Sequence, residues 1–234
     1  MIYDDAKTPK EETDKMRELH VVALDRFEVA RDAEYENRLL AESDFEFAAG
    51  EQWPDEIKTE RNTDGRPCLT INRLPQFIRQ VMGDARQNKP AIKVRPVEDS
   101  DEAIAEIYEG LIRSIEVMSS APQAYMTALE HTLTGGFGHW RVTTEYVGND
   151  SFDQEIKIEP IRNPFSVFWD SNAQRYDKSD AEWCFVTEWI SQEEFEKRYP
   201  NENPDDWEQD PAENRQTYWR DDNERVRLAE YWCK

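Results

Sequence analysis

Cysteine is scarce and scattered. Cys68, Cys184 and Cys233 are odd in number and far apart, which excludes a disulfide framework and a local CxxC metal pair and points to a reducing compartment. Histidine is equally sparse: His20, His131 and His139 stand alone, none at ligand spacing from a cysteine. No apolar run approaches the ~18 residues of a membrane span. The first residues, Met1 to Asp5, carry neither a basic nor an apolar leader region, so the expectation is synthesis and initial residence in a cytoplasm, with no membrane partner. Positive charge is short as well, with 29 Lys and Arg against 51 Asp and Glu, a net charge of −22. A chain so acidic repels phosphate and is no tight nucleic-acid or anionic-membrane binder as a whole.

Catalytic signatures are missing too. There is no GxxxxGK[ST], GxGxxG, GxSxG or HExxH, so neither an enzyme nor a bound cofactor is expected. Gly135-Gly136-Phe137-Gly138 follows a helical pattern and precedes a strand pattern, the reverse of the order that aims amides at an anion. It reads as a helix stop and a tight turn. Asp170, Asp177 and Asp180 share one loop and are the weak candidates for a hard-cation site, with no metal assigned. Their spacing matches no EF-hand, and capping of the loop's own backbone is the preferred role.

What is present is a long, charged, aromatic-rich chain of 234 residues, eight of them Trp, large enough for one sizeable core or two small ones. One stretch reverses the overall charge. From Arg61 to Val97 there are eight basic and two acidic residues, +6, which leaves −28 for the remainder. Within it Leu74, Ile78, Val81 and Ala85 step by four, three and four, one apolar helical stripe that Phe77 and Met82 widen. Asn72 is the expected N-cap, Pro75 lies in the first turn, Pro90 ends the helix, and Ala91 to Val97 reads as a short strand. Arg73, Arg79 and Arg86 are the candidates for contact with a neighbouring subunit, since guanidinium suits bidentate carboxylate pairing. Pairing within the chain or between subunits is preferred to phosphate contact.

Along the rest of the chain, Met1 to Lys7 reads as disordered and Thr8-Pro9-Lys10-Glu11 as a capping box. A long charged helix follows to about Glu42, with Leu19, Ala23, Phe27, Ala30, Ala33 and Leu40 on one side. Asp44 to Pro54 reads as a loop with aromatic anchors and Asn62 to Gly65 as a turn. Asp99 and Glu102 form a second capping box, before Ile104, Ile107, Leu111, Ile115 and Met118, the most regular helical stripe of the chain. Pro122 to Thr134 is a shorter helix with Gly135-Gly136 as its C-cap. The period then changes to two: strands at Trp140 to Val147, Ile156 to Ile161, Trp183 to Ile190 and Arg225 to Trp232, with a short helix capped at Ser191. Asn201 to Asn223 is acidic, with Trp207, Tyr218 and Trp219 as possible anchors. Helices first and a mostly antiparallel sheet after them give an α+β class. The organisation expected is an N-terminal tip and long helix over residues 1–43, then an α+β region over 44–234.

The run Gly65-Arg66-Pro67-Cys68-Leu69-Thr70-Ile71-Asn72-Arg73-Leu74-Pro75, continuing through Ile78 to Pro90, resembles the N-terminal wing region of portal proteins from short-tailed phages. Further pieces follow in that family's order: Asp44-Phe45 to Trp53, Gly135 to Gly138, Asn163-Pro164-Phe165 to Asp170, and Ala229-Glu230-Tyr231-Trp232. The resemblance implies a ring of twelve identical subunits at one capsid vertex of the virion, assembled in the host cytoplasm. It also implies a channel for packaging and ejecting double-stranded DNA, held without sequence preference. The partners implied are the terminase large subunit, the major capsid protein and tail adaptor proteins. Only the wing part is recognisable, and the family's stem, clip and crown have no counterpart in this sequence. The competing reading of so acidic a chain is a regulatory or DNA-mimic module that blocks a nucleic-acid enzyme.

Overall fold

The computed structural model describes residues 9–88, 91–96, 102–148, 150–200 and 225–234. The expected disordered tip at 1–7, Thr8 and Asp99 of the two capping boxes, and the acidic stretch 201–223 lie outside the described residues. The element order is α1 (Pro9–Ala49), α2 (Asp55–Thr63), α3 (Leu74–Gln87), α4 (Glu102–Met118), α5 (Ala121–Gly135), β1 (Trp140–Tyr146), β2 (Gln154–Pro160), β3 (Val167–Trp169), β4 (Trp183–Ser191), α6 (Gln192–Arg198) and β5 (Arg225–Cys233). The class is α+β, with one antiparallel hairpin, β1-β2, and one three-stranded antiparallel sheet in the order β3-β4-β5. Two compact units divide the chain: Met1–Tyr35 with Phe165–Lys234, and Glu36–Pro164.

The first unit is built on the sheet. Along β4 burial alternates, Trp183, Phe185 and Thr187 in and their neighbours partly out, the period-two signature of a strand with one face on a core. Phe27 and Ala30 of α1 meet that face and join Phe168, Trp183 and Phe185 in one cluster. The Phe27 ring lies 4.7 Å from Phe168 and 5.5 Å from Phe185, tilted and edge-on. Tyr231 of β5 stacks on Phe185 at 4.7 Å, and the Arg26 guanidinium donates to the Tyr231 hydroxyl. Rings in these offset geometries add about 0.5–1.5 kcal/mol per pair beyond area burial. A satellite core of Ile190, Phe195 and Val226 holds α6, whose start is secured where the Glu194 amide donates to Ser191 Oγ at 3.2 Å.

The second unit is organised around α5. Ala121, Ala124 and Ala128 are buried at steps of three and four, a stripe of small residues that lets its neighbours approach closely. Ile158 of β2 and Ile115 of α4 pack on it. The β1-β2 register sets Val142 opposite Ile158 and Arg141 opposite Glu159, the latter two joined at 3.0 Å. The turn after α5 needs three glycines for three reasons. Gly136 has φ +84°, the left-handed C-cap; a Cβ on Gly135 would lie 2.3 Å from the Phe45 ring; one on Gly138 would lie 1.9 Å from the Ala128 carbonyl oxygen.

Four local expectations are corrected. Helix α1 does not stop near Glu42 but runs to Ala49, about 60 Å in all, so Asp44 to Ala49 is helix rather than loop. Its stripe is half used: Phe27 and Ala30 are buried and Ala23 half-buried, whereas Leu19, Ala33 and Leu40 are exposed. Asn62 and Thr63, expected as the start of a turn, instead end a helix over Asp55–Thr63, in which nothing is buried, and the turn is left to Asp64 and Gly65. Residues 91–96 form no strand, since among the described residues no segment supplies the ladder their alternation would need.

Candidate functional site

The basic stretch begins where three segments of the second unit are tied together by one side chain. Asn72 Nδ2 donates to the Ala48 carbonyl at the end of α1, at 2.7 Å, and Gln52 Nε2 donates to Asn72 Oδ1 at 3.1 Å. The same Oδ1 accepts from the Leu74 amide at 3.2 Å. The expected N-cap role is therefore shifted by one residue: Arg73 flanks the helix with no side-chain cap, and Asn72 reaches past it to the first helical amide. Nothing in the sequence singled out the contact with Ala48.

The basic side chains divide into two groups. Arg61 lies 5.0 Å over the Trp53 ring and donates to the Pro67 carbonyl at 3.0 Å, and Arg66 approaches Asp64 at 4.0 Å. These two hold the loop between α2 and α3. Arg73, Arg79 and Arg86 are exposed, and among the described residues no carboxylate pairs with any of them. Arg79 and Arg86, seven residues apart, share one face of α3. On the helix itself only Met82 is buried, with Ile78 and Ala85 half-buried beside it. Leu74, Phe77 and Val81, counted in the sequence as part of a core stripe, stay exposed, Phe77 at 60%.

The same inversion is larger on α4. Ala105 is buried and Ile112 half-buried, and of the regular stripe Ile115 alone turns to the unit, packed on the Ala121, Ala124 and Ile158 cluster. Ile104, Ile107, Leu111 and Met118 of that stripe are exposed, Ile107 at 69% and Met118 at 64%, and Tyr108 is exposed beside them. Exposed aliphatic side chains grouped in this way mark a face that an interaction would cover. A second uncovered feature is concave. Trp53, Ile57, Leu69 and Ile71 line a groove of about 360 Å³, with Leu69 and Ile71 77% and 80% exposed.

The acidic loop of the first unit is occupied with its own backbone. Asp170 is buried and accepts from the amides of Asn172, at 3.0 Å, and Glu182, at 3.3 Å. Asp180 accepts from the Gln174 amide at 2.7 Å, and Asp177 from the Ser179 amide at 3.2 Å. These bonds hold the carboxyls of Asp177 and Asp180 below the usual carboxylate range. Each acid closes its own turn, and among the described residues no three His, Cys, Asp or Glu side chains gather as metal ligands would.

Histidines are placed structurally. Burial is the main cause that lowers His139 to about 4, with Arg38 and His131 adding to it, and burial also lowers His131. His131 packs edge-on to Phe45 at 6.0 Å, and the Arg38 guanidinium lies 5.8 Å over Phe137. Cys184 is half-buried and its thiol is pushed up, an unreactive side chain. No helix among the described residues is long and apolar enough to cross a membrane.

Sequence comparison supplies the family in which these surfaces occur. The family model for phage P22-like portal proteins matches residues 24–234. The chain belongs to that family. A portal protein of Acyrthosiphon pisum secondary endosymbiont phage 1 is 36% identical over 143 residues, 59% of this chain and 20% of that relative. The match thus takes in about a fifth of the relative portal protein's length. The family model runs from Leu24, within α1, through β5, so both the exposed α4 side chains and the α3 arginines that meet no carboxylate among the described residues lie inside the portal-like region.

Proposed function

We propose that this chain forms the wing part of a portal subunit and that identical copies close into a ring at one vertex of the phage capsid. In this reading the ring sits in the shell of the major capsid protein, receives the terminase large subunit during packaging and tail adaptor proteins afterwards, and passes double-stranded DNA without sequence preference. The role is structural, and no chemistry is asked of any side chain. Family membership over residues 24–234 is the observation that carries it. The exposed aliphatic ridge of α4 supports an assembled state, since burying such side chains contributes roughly 1.5–3 kcal/mol each. A net charge of −22 suits a conduit, because an acidic wall does not trap phosphate.

The test is native mass spectrometry and light scattering on the polypeptide expressed from its complete reading frame. A discrete ring of many copies is the expected result. A stable monomer that displaces DNA from a nucleic-acid enzyme would overturn the reading in favour of the DNA mimic.

A further inference from the structure

Within the second unit the last turns of α1 meet the junction between α5 and β1 at two contacts, and a histidine stands at each. Phe45 fills the space beside Gly135 and lies edge-on to His131, ring centroids 6.0 Å apart. Further back on the same helix the Arg38 guanidinium lies 5.8 Å over the Phe137 ring, which is itself 6.0 Å from the ring of His139. Burial keeps both imidazoles neutral at pH 7. The charged groups that face them come from both helices. Arg38 of α1 and His131 of α5 each oppose a charge on His139, and Glu130 of α5 favours one on His131. A proton on His139 therefore arrives close to a cation that α1 itself brings.

We infer that this junction is an acid-sensitive latch: protonation of His139, and then of His131, releases the Arg38 to Ala49 end of α1 from α5 while the core of Ala121, Ala124 and Ile158 stays packed. Once released, Arg38 and the imidazoles stand in water and repel one another less, so the open junction takes up the proton more readily. The sign follows from a docked value for His139 of about 4 and a free value of about 6.5: acid has no effect above pH 6.5 and its full effect below pH 4. Over that window His139 raises the ratio of released to docked by up to about 300-fold. Little apolar burial opposes release, since of residues 38–49 only Ala41 is buried, although the Asn72 bond to the Ala48 carbonyl resists it. The core side chains Ala121, Ala124, Ile158 and Ile115 carry no group that titrates, so acid acts first at the junction.

The experiment places 4-fluorophenylalanine at position 45 of the complete polypeptide, with ¹³C in the δ1 methyl groups of isoleucine, and lowers the pH from 7 to 3.5. The expected result is that the ¹⁹F resonance of position 45 moves to its solvent-exposed shift as pH falls through 5 toward 4, while the Ile158 methyl keeps its folded shift. His139→Gln is expected to lower that midpoint by about one pH unit or more, and His131→Gln by less. Position 45 and Ile158 moving together in the wild type would overturn the inference, because acid would then act on the unit as a whole. So would a position 45 that stays docked to pH 3.5, or a midpoint that His139→Gln leaves where it was. The wild-type comparison decides even where a variant fails to fold.

Discussion

The Phe45 ring occupies the space that a side chain on Gly135 would need, 2.3 Å from the position of its Cβ. The contact joins the last turns of α1 to the end of α5 and explains why a glycine precedes the left-handed Gly136. Gly135→Ala forces the ring to move and is expected to cost about 1–3 kcal/mol. Paired with Phe45→Ala, it is expected to cost much less than the two single changes together. Gly83→Ala and Gly110→Ala, in α3 and α4 with open space at the Cβ, are expected to raise stability by about 0.5–1 kcal/mol. Urea unfolding of the five variants, the Phe45→Ala single change included, checks the ordering.

The Phe45 contact also marks where sequence reasoning stops. Signals confined to a few residues were legible. The α5 stop at Gly136, the alternation of Trp140 to Tyr146, the burial rhythm of Trp183 to Ile190 and the Ser191 cap all stand where spacing placed them. Asp44 to Phe47 alternates acid with aromatic and so mimics a loop or strand, yet it is helical, with Phe45 packed edge-on to His131 of α5. Helix α2 had a readable start, Pro54 before Asp55 and Glu56, but no apolar stripe to draw notice. The faces of α3 and α4 were unreadable for a deeper reason. A stripe such as Ile104 to Met118 records that a helix is covered, not whether its own chain covers it.

Asn72 serves three elements with two side-chain atoms, so its variants separate the bonds. Asn72→Asp keeps the acceptor for Leu74 and Gln52 and loses the donor to Ala48. Asn72→Ala loses all three, and at about 0.5–1.5 kcal/mol per bond is expected to cost more than Asp. Hydrogen exchange of the Leu74 amide reports the difference: faster in the alanine variant, unchanged in the aspartate variant.

Asp170 and Asp177 belong to one loop but differ in burial. Asp170, 4% exposed, holds two backbone amides through part-buried bonds, and Asp170→Ala removes both at about 1–3 kcal/mol in all. Asp177→Ala, on the exposed side, is expected to leave stability nearly unchanged. A thermal shift with added Mg²⁺ or Ca²⁺ that disappears in the Asp177 variant would restore the cation reading of this loop.

His139 couples the second unit to pH. Its folded value of about 4 lies below the unfolded value of about 6.5, so the unfolded chain binds the proton first as pH falls. Stability from this group is complete above pH 6.5 and declines toward pH 4, by about 2 kcal/mol between pH 7 and pH 5. His131, lowered in the same direction by burial, adds to the slope. The His139 imidazole proton resonances are expected not to titrate until close to pH 4. A midpoint near 6.5 would mean that water reaches the ring.

Arg79 and Arg86 face one way along α3 and have no acid of their own chain among the described residues, so their effect is expected between subunits. Arg79→Glu with Arg86→Glu places two negative charges where a neighbour's acids would sit. Exchanging attraction for repulsion at partly exposed pairs costs about 1 kcal/mol per site. One such loss recurs at every interface of a ring, so a modest change per contact becomes a large one in ring population. Affinity for DNA is expected to move little by comparison, because a chain of net charge −22 gains little of it from two arginines. Native mass spectrometry at low and moderate salt reads the first effect and filter binding the second. Equal ring populations in wild type and variant would remove these arginines from the interface.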